Sequence, residues 1–295
     1  MTASARVQRA DDAIAVSGEF AFSKADFREI AKFVKDTSGI ELSESKASLV
    51  YSRLAKRLRA LRLKTFAEYR DTIASDDAER DRMLSALTTN VTKFYREIHH
   101  FEHLQKLFRG PLGDAAKRGE RIRIWSAACS SGQEPYSIAL SILSVIPDAP
   151  KLDIKILATD LSSDVVSHGR KGLYRTEELQ DIPADVRKRW ITPVVVDGEN
   201  QFCVSETAKA LITFRELNLM ERWPMQGPFQ IIFCRNVVIY FDQPTQAKLW
   251  QRFATLLSPS GTLYIGHSER LSGPAVPQFR ADGITTFQLL KGAAR

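Results

Sequence analysis

The chain is poor in several residue patterns, and each shortage excludes a class. Cysteine is scarce: Cys129, Cys203 and Cys234 are the only 3 in 295 residues, far apart and in apolar surroundings. An odd, scattered set rules out a disulfide framework and any cysteine zinc spacing, and it points to reduced thiols in the cytoplasm. No apolar run approaches the roughly 20 residues that a membrane span needs. The N-terminus has no apolar core of signal-peptide length. Neither an internal repeat nor a low-complexity stretch is present. Acid is missing from residues 46–64, which hold Lys46, Arg53, Lys56, Arg57, Arg59, Arg62 and Lys64. The whole chain is +7, so this one segment carries the entire excess and the remainder is balanced. A local basic face of that kind fits an acidic partner.

What is present is ordinary for a globular protein, with 44% hydrophobic and 26% charged residues. The length suits one large or two modest domains. Residues 1–20 read as a flexible tail and 21–109 as a helical domain. Ser23 is a candidate N-cap, Phe27, Ile30, Ala31, Phe33 and Val34 are read on one face, and Gly39 is a candidate stop. Val50, Leu54, Leu58 and Leu61 form one stripe of a second helix, with Arg53, Lys56 and Arg57 on one flank and Arg59 on the other. No acid interleaves at the i, i+4 positions that commonly neutralise such a flank. The glycine- and charge-rich segment 110–120 reads as a linker. From 121 to 295 strands and helices alternate, which predicts an α/β domain with a parallel sheet. The alternation breaks over about 172–210, where VVV-DGEN-QFCVS reads as a hairpin on an Asp-Gly turn.

The stretch RIRIWSAACSSGQEPYS, from Arg121 to Ser137, opens that second domain. It reads as a strand, a turn of small residues, and a helix starting near Pro135. Small side chains let a ligand approach the backbone, and a helix N-terminus offers free N–H groups. The turn lacks the G-x-G-x-x-G spacing, so on pattern alone a tight turn without a ligand is as good a reading. In an open α/β sheet, ligands sit at the carboxyl ends of the strands. The polar residues at those ends are Gln133 and Glu134, Asp160, then Arg235, Asn236, Tyr240 and Asp242, and His267, Ser268 and Glu269. Asp160 suits ribose hydroxyls or a helix cap equally well. His99 and His103 have a metal-compatible spacing, but no third ligand is evident, and no metal is expected.

In order along the chain, NVTKFYRE, SAACSSGQEPYSIA, ATDLS, NLM, FCRNVVIYFD and GHSE resemble the bacterial chemotaxis receptor methyltransferases of the CheR type. The likeness runs from about residue 22 to 290. It implies a Rossmann-like S-adenosylmethionine-dependent methyltransferase domain with a small antiparallel β insert, preceded by an all-α domain that recognises receptors. The implied reaction esterifies glutamate side chains on chemoreceptor cytoplasmic helices and leaves S-adenosylhomocysteine, for adaptation in chemotaxis. Carried over by motif, Asn90, Thr92 and Arg96 face the cofactor, and Glu134 lies near its amino-acid end. Asp160 holds the ribose, Asn218 and Leu219 contact the adenine region, and Asn236 and Val237 line the site. Arg96 and Tyr240 lie closest to the transferring methyl. A glutamate carboxylate is already ionised at neutral pH, so no general base is needed, and alignment carries the acceleration. Arg53, Lys56, Arg57 and Arg59 become the receptor-binding surface.

Members that dock on a receptor's tail peptide carry a glycine-containing motif in the insert. Here Gly198 is the only glycine of ITPVVVDGENQFCVSETA, residues 191–208, which argues against tail docking. Gln133 replaces an acid often seen before Glu134, with little effect expected. A monomer without membrane insertion is expected. Two other classes compete. The basic segment suits a nucleic-acid methyltransferase, but its only aromatic is Tyr51 and no nucleic-acid module is present. A non-catalytic adaptor keeping the fold is the third class, opposed by the retention of Arg96, Asp160, Asn236 and Tyr240.

Overall fold

The computed structural model describes residues 14–88 and 90–292. The chain divides into two compact units at the 89/90 junction, with Tyr240–Asp242 counted to the first. The beginning of the expected tail, residues 1–13, lies outside the described residues. Residues 14–20 do not behave as a tail. They enter an antiparallel pair, β1 (Ile14–Val16) with β2 (Phe22–Ser23). Aromatic packing holds this pair. Phe22 is fully buried with its ring 4.4 Å from Phe66 and 5.9 Å from Tyr51. The Phe20 N–H donates to the Tyr51 hydroxyl at 3.2 Å. Gly18 passes so close that a Cβ there would sit 2.1 Å from the same hydroxyl.

Four helices complete the first unit: α1 (Lys24–Ser38), α2 (Ala47–Leu61), α3 (Phe66–Ser75) and α4 (Asp77–Leu87). Their ends follow from local chemistry. Ser23 and Asp26 form a reciprocal capping box at the start of α1, and Gly39 closes it in the left-handed region at φ 75°. Thr65 and Glu68 do the same for α3, and Asp76 caps α4. The α2 stripe is buried at Val50, Leu54 and Leu58.

The second unit begins with α5 (His99–Arg109) and α6 (Pro111–Lys117), then alternates β3 (Ile122–Ala127), α7 (Gln133–Val145), β4 (Ile154–Asp160) and α8 (Ser163–Lys171). An insert follows: β5 (Leu173–Tyr174), α9 (Ala184–Trp190), β6 (Ile191–Val196), β7 (Glu199–Val204) and α10 (Glu206–Lys209). The alternation resumes with β8 (Ile212–Glu216), β9 (Phe229–Cys234), α11 (Gln243–Leu256) and β10 (Leu257–Ile265), and closes on β11 (Phe279–Gly283) and β12 (Thr286–Leu289). The expected linker 110–120 is therefore corrected: most of it is helix α6. Its small residues serve close packing rather than flexibility. Gly113, Ala115 and Ala116 are buried, and a Cβ on Gly113 would lie 2.0 Å from the Phe108 carbonyl oxygen. Residues 90–109, grouped with the helical domain on sequence, belong to the second unit. Phe101, Leu104 and Phe108 of α5 join its core, and Gln105 donates to Ser144 of α7 at 3.0 Å.

Seven strands form the main sheet in the order β11-β12-β10-β9-β3-β4-β8. The five from β10 to β8 are parallel, and β12 and β11 add antiparallel. Strands β3 and β9 are buried at five of six positions, as parallel strands covered on both faces must be. From β3 the chain winds outward to β4 and β8 on one side, and from β9 to β10 on the other. The switch point lies between β3 and β9, where open α/β sheets hold ligands. The register places Ala127 level with Thr159 and Cys234, and Cys234 level with Ile265, so four loops open along one edge. The insert is a separate antiparallel sheet, β5-β7-β6. Its hairpin turns at Asp197 and Gly198, with φ 52° and 81°, as a two-residue primed turn demands. Among the described residues, no helix is long and apolar enough to cross a membrane.

Candidate active site

The loop from β3 to α7 is built by left-handed backbone at Ala128 (φ 61°), Ser130 (φ 49°) and Gly132 (φ 98°). Helix α7 starts at Gln133, two residues before the start read from the sequence, with Gly132 as its N-cap. Glycine is required there twice over. The φ is positive, and a Cβ would meet the Tyr174 hydroxyl at 2.7 Å and the Gly169 Cα at 2.9 Å. Tyr174 also donates to the Ser131 carbonyl at 2.7 Å. Tyr95 (φ 50°), Glu97 (φ 60°) and Asn236 (φ 59°) are left-handed too. Strained non-glycine backbone concentrated in three loops at one sheet edge is the mark of a functional site.

Asp160 ends β4 and is 8% exposed. Its carboxylate accepts the Ser130 N–H at 2.8 Å and the Ser162 N–H at 3.1 Å. One acid thus joins the β3–α7 loop to the β4–α8 loop. Its neighbour in register on β8 is Glu216, and the Leu217 N–H donates to the Asp160 carbonyl. That alignment brings Asn218 and Leu219 to the same edge. Asn218 accepts the Met220 N–H and donates to Glu221, and Leu219 is buried.

A second network centres on Arg235, at the end of β9. Its side chain is 2% exposed. Nη1 donates to Glu134 Oε2 at 3.0 Å, and Nη2 pairs with Glu97 Oε2 at 3.3 Å and donates to the Arg96 carbonyl oxygen. Ser126 donates to the other oxygen of Glu134 at 2.7 Å. The other Glu97 oxygen accepts from His267 Nδ1 at 3.1 Å, the His267 N–H at 3.3 Å and Asn236 Nδ2 at 3.4 Å. Beyond it, Glu269 accepts the N–H groups of Val237, Val238 and Gly266 at 2.8, 2.9 and 2.6 Å. Asn90 meets the first network, its carbonyl accepting from Ser130 Oγ at 3.2 Å. Arg96 donates to the Val91 carbonyl at 3.1 Å, and Thr92 is half-buried between them in sequence.

Burial raises the pKa of Glu134, Asp160 and Glu269, and it outweighs the Arg235 pair at Glu134 and the backbone donors at the other two. Burial pushes Glu97 up as well, but the Arg235 charge and the His267 and Asn236 donors win and bring it to about 2. Acids held against their preference favour a positive ligand, because a cation among them stabilises their ionised forms. S-adenosylmethionine carries a sulfonium and an ammonium against one carboxylate, and its ribose suits the Asp160 acceptor. The site therefore fits that cofactor by charge, by small side chains at the turn and by the acid at the end of β4.

On sequence Arg235 is a strand-end residue without a role, Glu269 with His267 and Ser268 hints only at a hydrolase set that lacks its nucleophile elbow, and Glu97 does not stand out. Glu97 lies inside the quoted NVTKFYRE motif, which was the available signal. Gln133 is 3% exposed and bridges Ser131 Oγ at 2.7 Å and Glu178 at 3.0 Å. The histidine spacing is split: His103 turns to the Tyr264 hydroxyl at 2.8 Å. Glu97, His99 and His100 bring ligand atoms within 4.8 Å of one another, but Arg235 already neutralises the carboxylate.

The four expected receptor-binding cations and Tyr240 belong to the first unit. Tyr240 is half-buried, and its carbonyl accepts the Glu41 N–H at 2.8 Å. The cationic flank needs correction. Arg57 is a bidentate partner of Glu79, at 2.9 and 2.5 Å, and Glu79 is fully buried and also accepts the Tyr69 hydroxyl at 3.0 Å. Arg53 donates to the carbonyls of Leu87 and Thr88 at the end of α4, both at 2.8 Å. These two arginines hold helices together. Lys56 and Arg59 are exposed, and the 2.8 Å pair of Arg59 with Glu19 is half-exposed on both sides and worth little.

The chain matches the family described as "CheR methyltransferase, SAM binding domain" over residues 90–286 and "CheR methyltransferase, all-alpha domain" over residues 25–88. It is 53% identical over 261 residues to a "Probable chemotaxis protein methyltransferase" of Rhizobium etli, covering 88% of this chain and 97% of that one. It is 42% identical to "Chemotaxis protein methyltransferase 2" of Pseudomonas aeruginosa, over 85% of this chain and 88% of the other. The "Chemotaxis protein methyltransferase" of Escherichia coli is 38% identical, over 92% and 93% of the two chains.

Proposed function

The chain belongs to the CheR methyltransferase family, and from that premise we propose that it esterifies glutamate side chains of chemoreceptors. The cofactor is S-adenosylmethionine. One observation carries the reading on this chain's own residues: buried acids gather along the edge of the sheet that holds the switch point, with Asp160 tying the β3–α7 loop to the β4–α8 loop. When bound, the cofactor supplies a methyl on a sulfonium, a good leaving group, and the product is S-adenosylhomocysteine. Asp160 holds the ribose hydroxyls. Glu134 lies toward the amino-acid end, Asn218 and Leu219 border the adenine, and Asn90, Thr92, Asn236 and Val237 line the remainder. Arg96 grips the incoming carboxylate through its guanidinium, and Tyr240 donates to one oxygen, so that the other faces the methyl. The substrate is ionised at neutral pH and needs no base.

The direct test offers labelled S-adenosylmethionine together with receptor-containing membranes and bulk nucleic acid. Mild alkali releases carboxyl methyl esters as methanol. Volatile counts from a receptor band are expected, and alkali-stable counts in nucleic acid would move the chain to a different substrate. Arg96→Ala and Tyr240→Phe are each expected to lower kcat by about 10- to 100-fold while changing the cofactor Kd by about threefold or less. Normal turnover in both variants would remove their assigned roles.

Receptor methylation segments are glutamate-rich helices, and the exposed remainder of the α2 surface, Lys56 and Arg59, is their docking face. The double reversal Lys56→Glu with Arg59→Glu is expected to raise KM for receptor about tenfold at low salt. The penalty should shrink as salt screens it, with cofactor Kd unchanged. A KM equal to the parent's would rule the surface out.

A further inference from the structure

We propose that Arg235 is a positioning residue that sets the orienting Arg96 and the cofactor-facing Glu134 from a single guanidinium, with Glu97 as its anchor. The inference deepens the reading above and rests on it. The plane of Arg235 reaches three acceptors on two segments. Glu134 Oε2 is on the first turn of α7 at 3.0 Å, Glu97 Oε2 is at 3.3 Å, and the Arg96 carbonyl belongs to the loop before α5. Sequence separations of 101 and 139 residues meet in that fork. Tyr95 and Glu97 on either side of Arg96 are both left-handed, and the Tyr95 N–H donates to Ser137 Oγ at 2.9 Å. The carbonyl clamp fixes where the Arg96 side chain starts, and the Phe101 ring, 5.7 Å below the guanidinium, fixes the plane of the clamp.

The anchor is secured in turn. Glu97 spends its other oxygen on His267 and Asn236, so the loops after β9 and β10 meet the 95–97 loop at one carboxylate. Charge alone does not explain the choice of arginine. A lysine would neutralise both acids, but its three donors radiate from one nitrogen and cannot span three acceptors on two segments in one plane. Arg235 touches neither the transferred methyl nor the receptor carboxylate in this account; it acts through Arg96 and Glu134.

Arg235→Lys is the decisive variant, measured in the full-length chain by calorimetric titration of S-adenosylmethionine, by kcat and by thermal midpoint. The expected result is a folded protein with cofactor Kd raised about tenfold through Glu134, and kcat lowered about 100-fold through Arg96. A Lys variant with parental Kd and kcat would mean that only charge neutralisation matters and would overturn the proposal. Should the Lys variant fail to fold, Glu97→Gln decides, because it keeps an acceptor for His267 and loses the ion pair. A folded Glu97→Gln with raised Kd and lowered kcat supports the proposal, and parental values sink it. Binding is read without receptor, so a parent that binds cofactor but methylates no receptor would disprove the substrate and leave this inference standing.

Discussion

Replacing Asp160 by alanine is expected to weaken S-adenosylmethionine binding by about 100-fold or more. The carboxylate is nearly buried and holds the N–H groups of Ser130 and Ser162. Truncation removes a charged acceptor proposed for a ribose hydroxyl, worth about 1.5–3 kcal/mol, and unties the two N–H groups that preorganise the flanking loops. Water reaching the new gap offsets part of this. A net loss of about 3 kcal/mol is a factor of about 100 in Kd. Asp160→Asn keeps the shape but turns one oxygen into a donor that faces an N–H, so an intermediate loss of about tenfold is expected. Calorimetric titration measures both, with thermal midpoints to confirm that each variant is folded. An alanine variant binding within twofold of the parent would take Asp160 out of the cofactor site.

Arg57→Ala is expected to lower the stability of the helical unit by about 3 kcal/mol, because it strands the fully buried Glu79. The figure sits at the low end of the range for breaking a buried pair. Tyr69 still donates to Glu79, Arg82 lies at 3.6 Å, and Arg57 itself is 25% exposed. For a unit of this size the melting midpoint should fall on the order of 15 °C in the calorimetric transition of the full-length chain. The double change Arg57→Met with Glu79→Gln removes both charges and should recover most of that loss. If Arg57→Ala melts with the parent but loses receptor methylation, Arg57 is a docking residue after all. Loss of methylation that tracks the melting transition instead assigns it to the fold, and leaves Lys56 and Arg59 as the testable surface.

The helix ends were legible because caps are local. Ser23 acts within three residues, and Gly39 needs only its own φ. The alternation after residue 121, the Asp-Gly hairpin and the position of Asp160 were legible for the same reason. Periodicity and turn chemistry span a few residues. The motifs carried the family and its cofactor. The errors have one cause in common. Segment 110–120 has the glycine and charge of a linker, yet Gly113 is small so that α6 can lie against the Phe108 carbonyl. Residues 14–20 look featureless, yet Gly18 and Phe20 fit against Tyr51, more than thirty residues on.

The sequence by itself determined the fold class, the alternation of strands and helices after residue 121, the candidate acid at the end of β4 and the family. These rest on interactions between near neighbours, or on motifs long enough to be specific. Only the tertiary structure decided which charges are spent inside the protein. The basic helix held no acid at i+4, and its partner for Arg57 came from 22 residues further on. Arg235 likewise meets Glu134 across 101 residues and Arg96 across 139. Whether a charge serves the fold, the site or a partner depends on what the folded chain brings within about 3 Å of it, and no spacing along the chain records that distance.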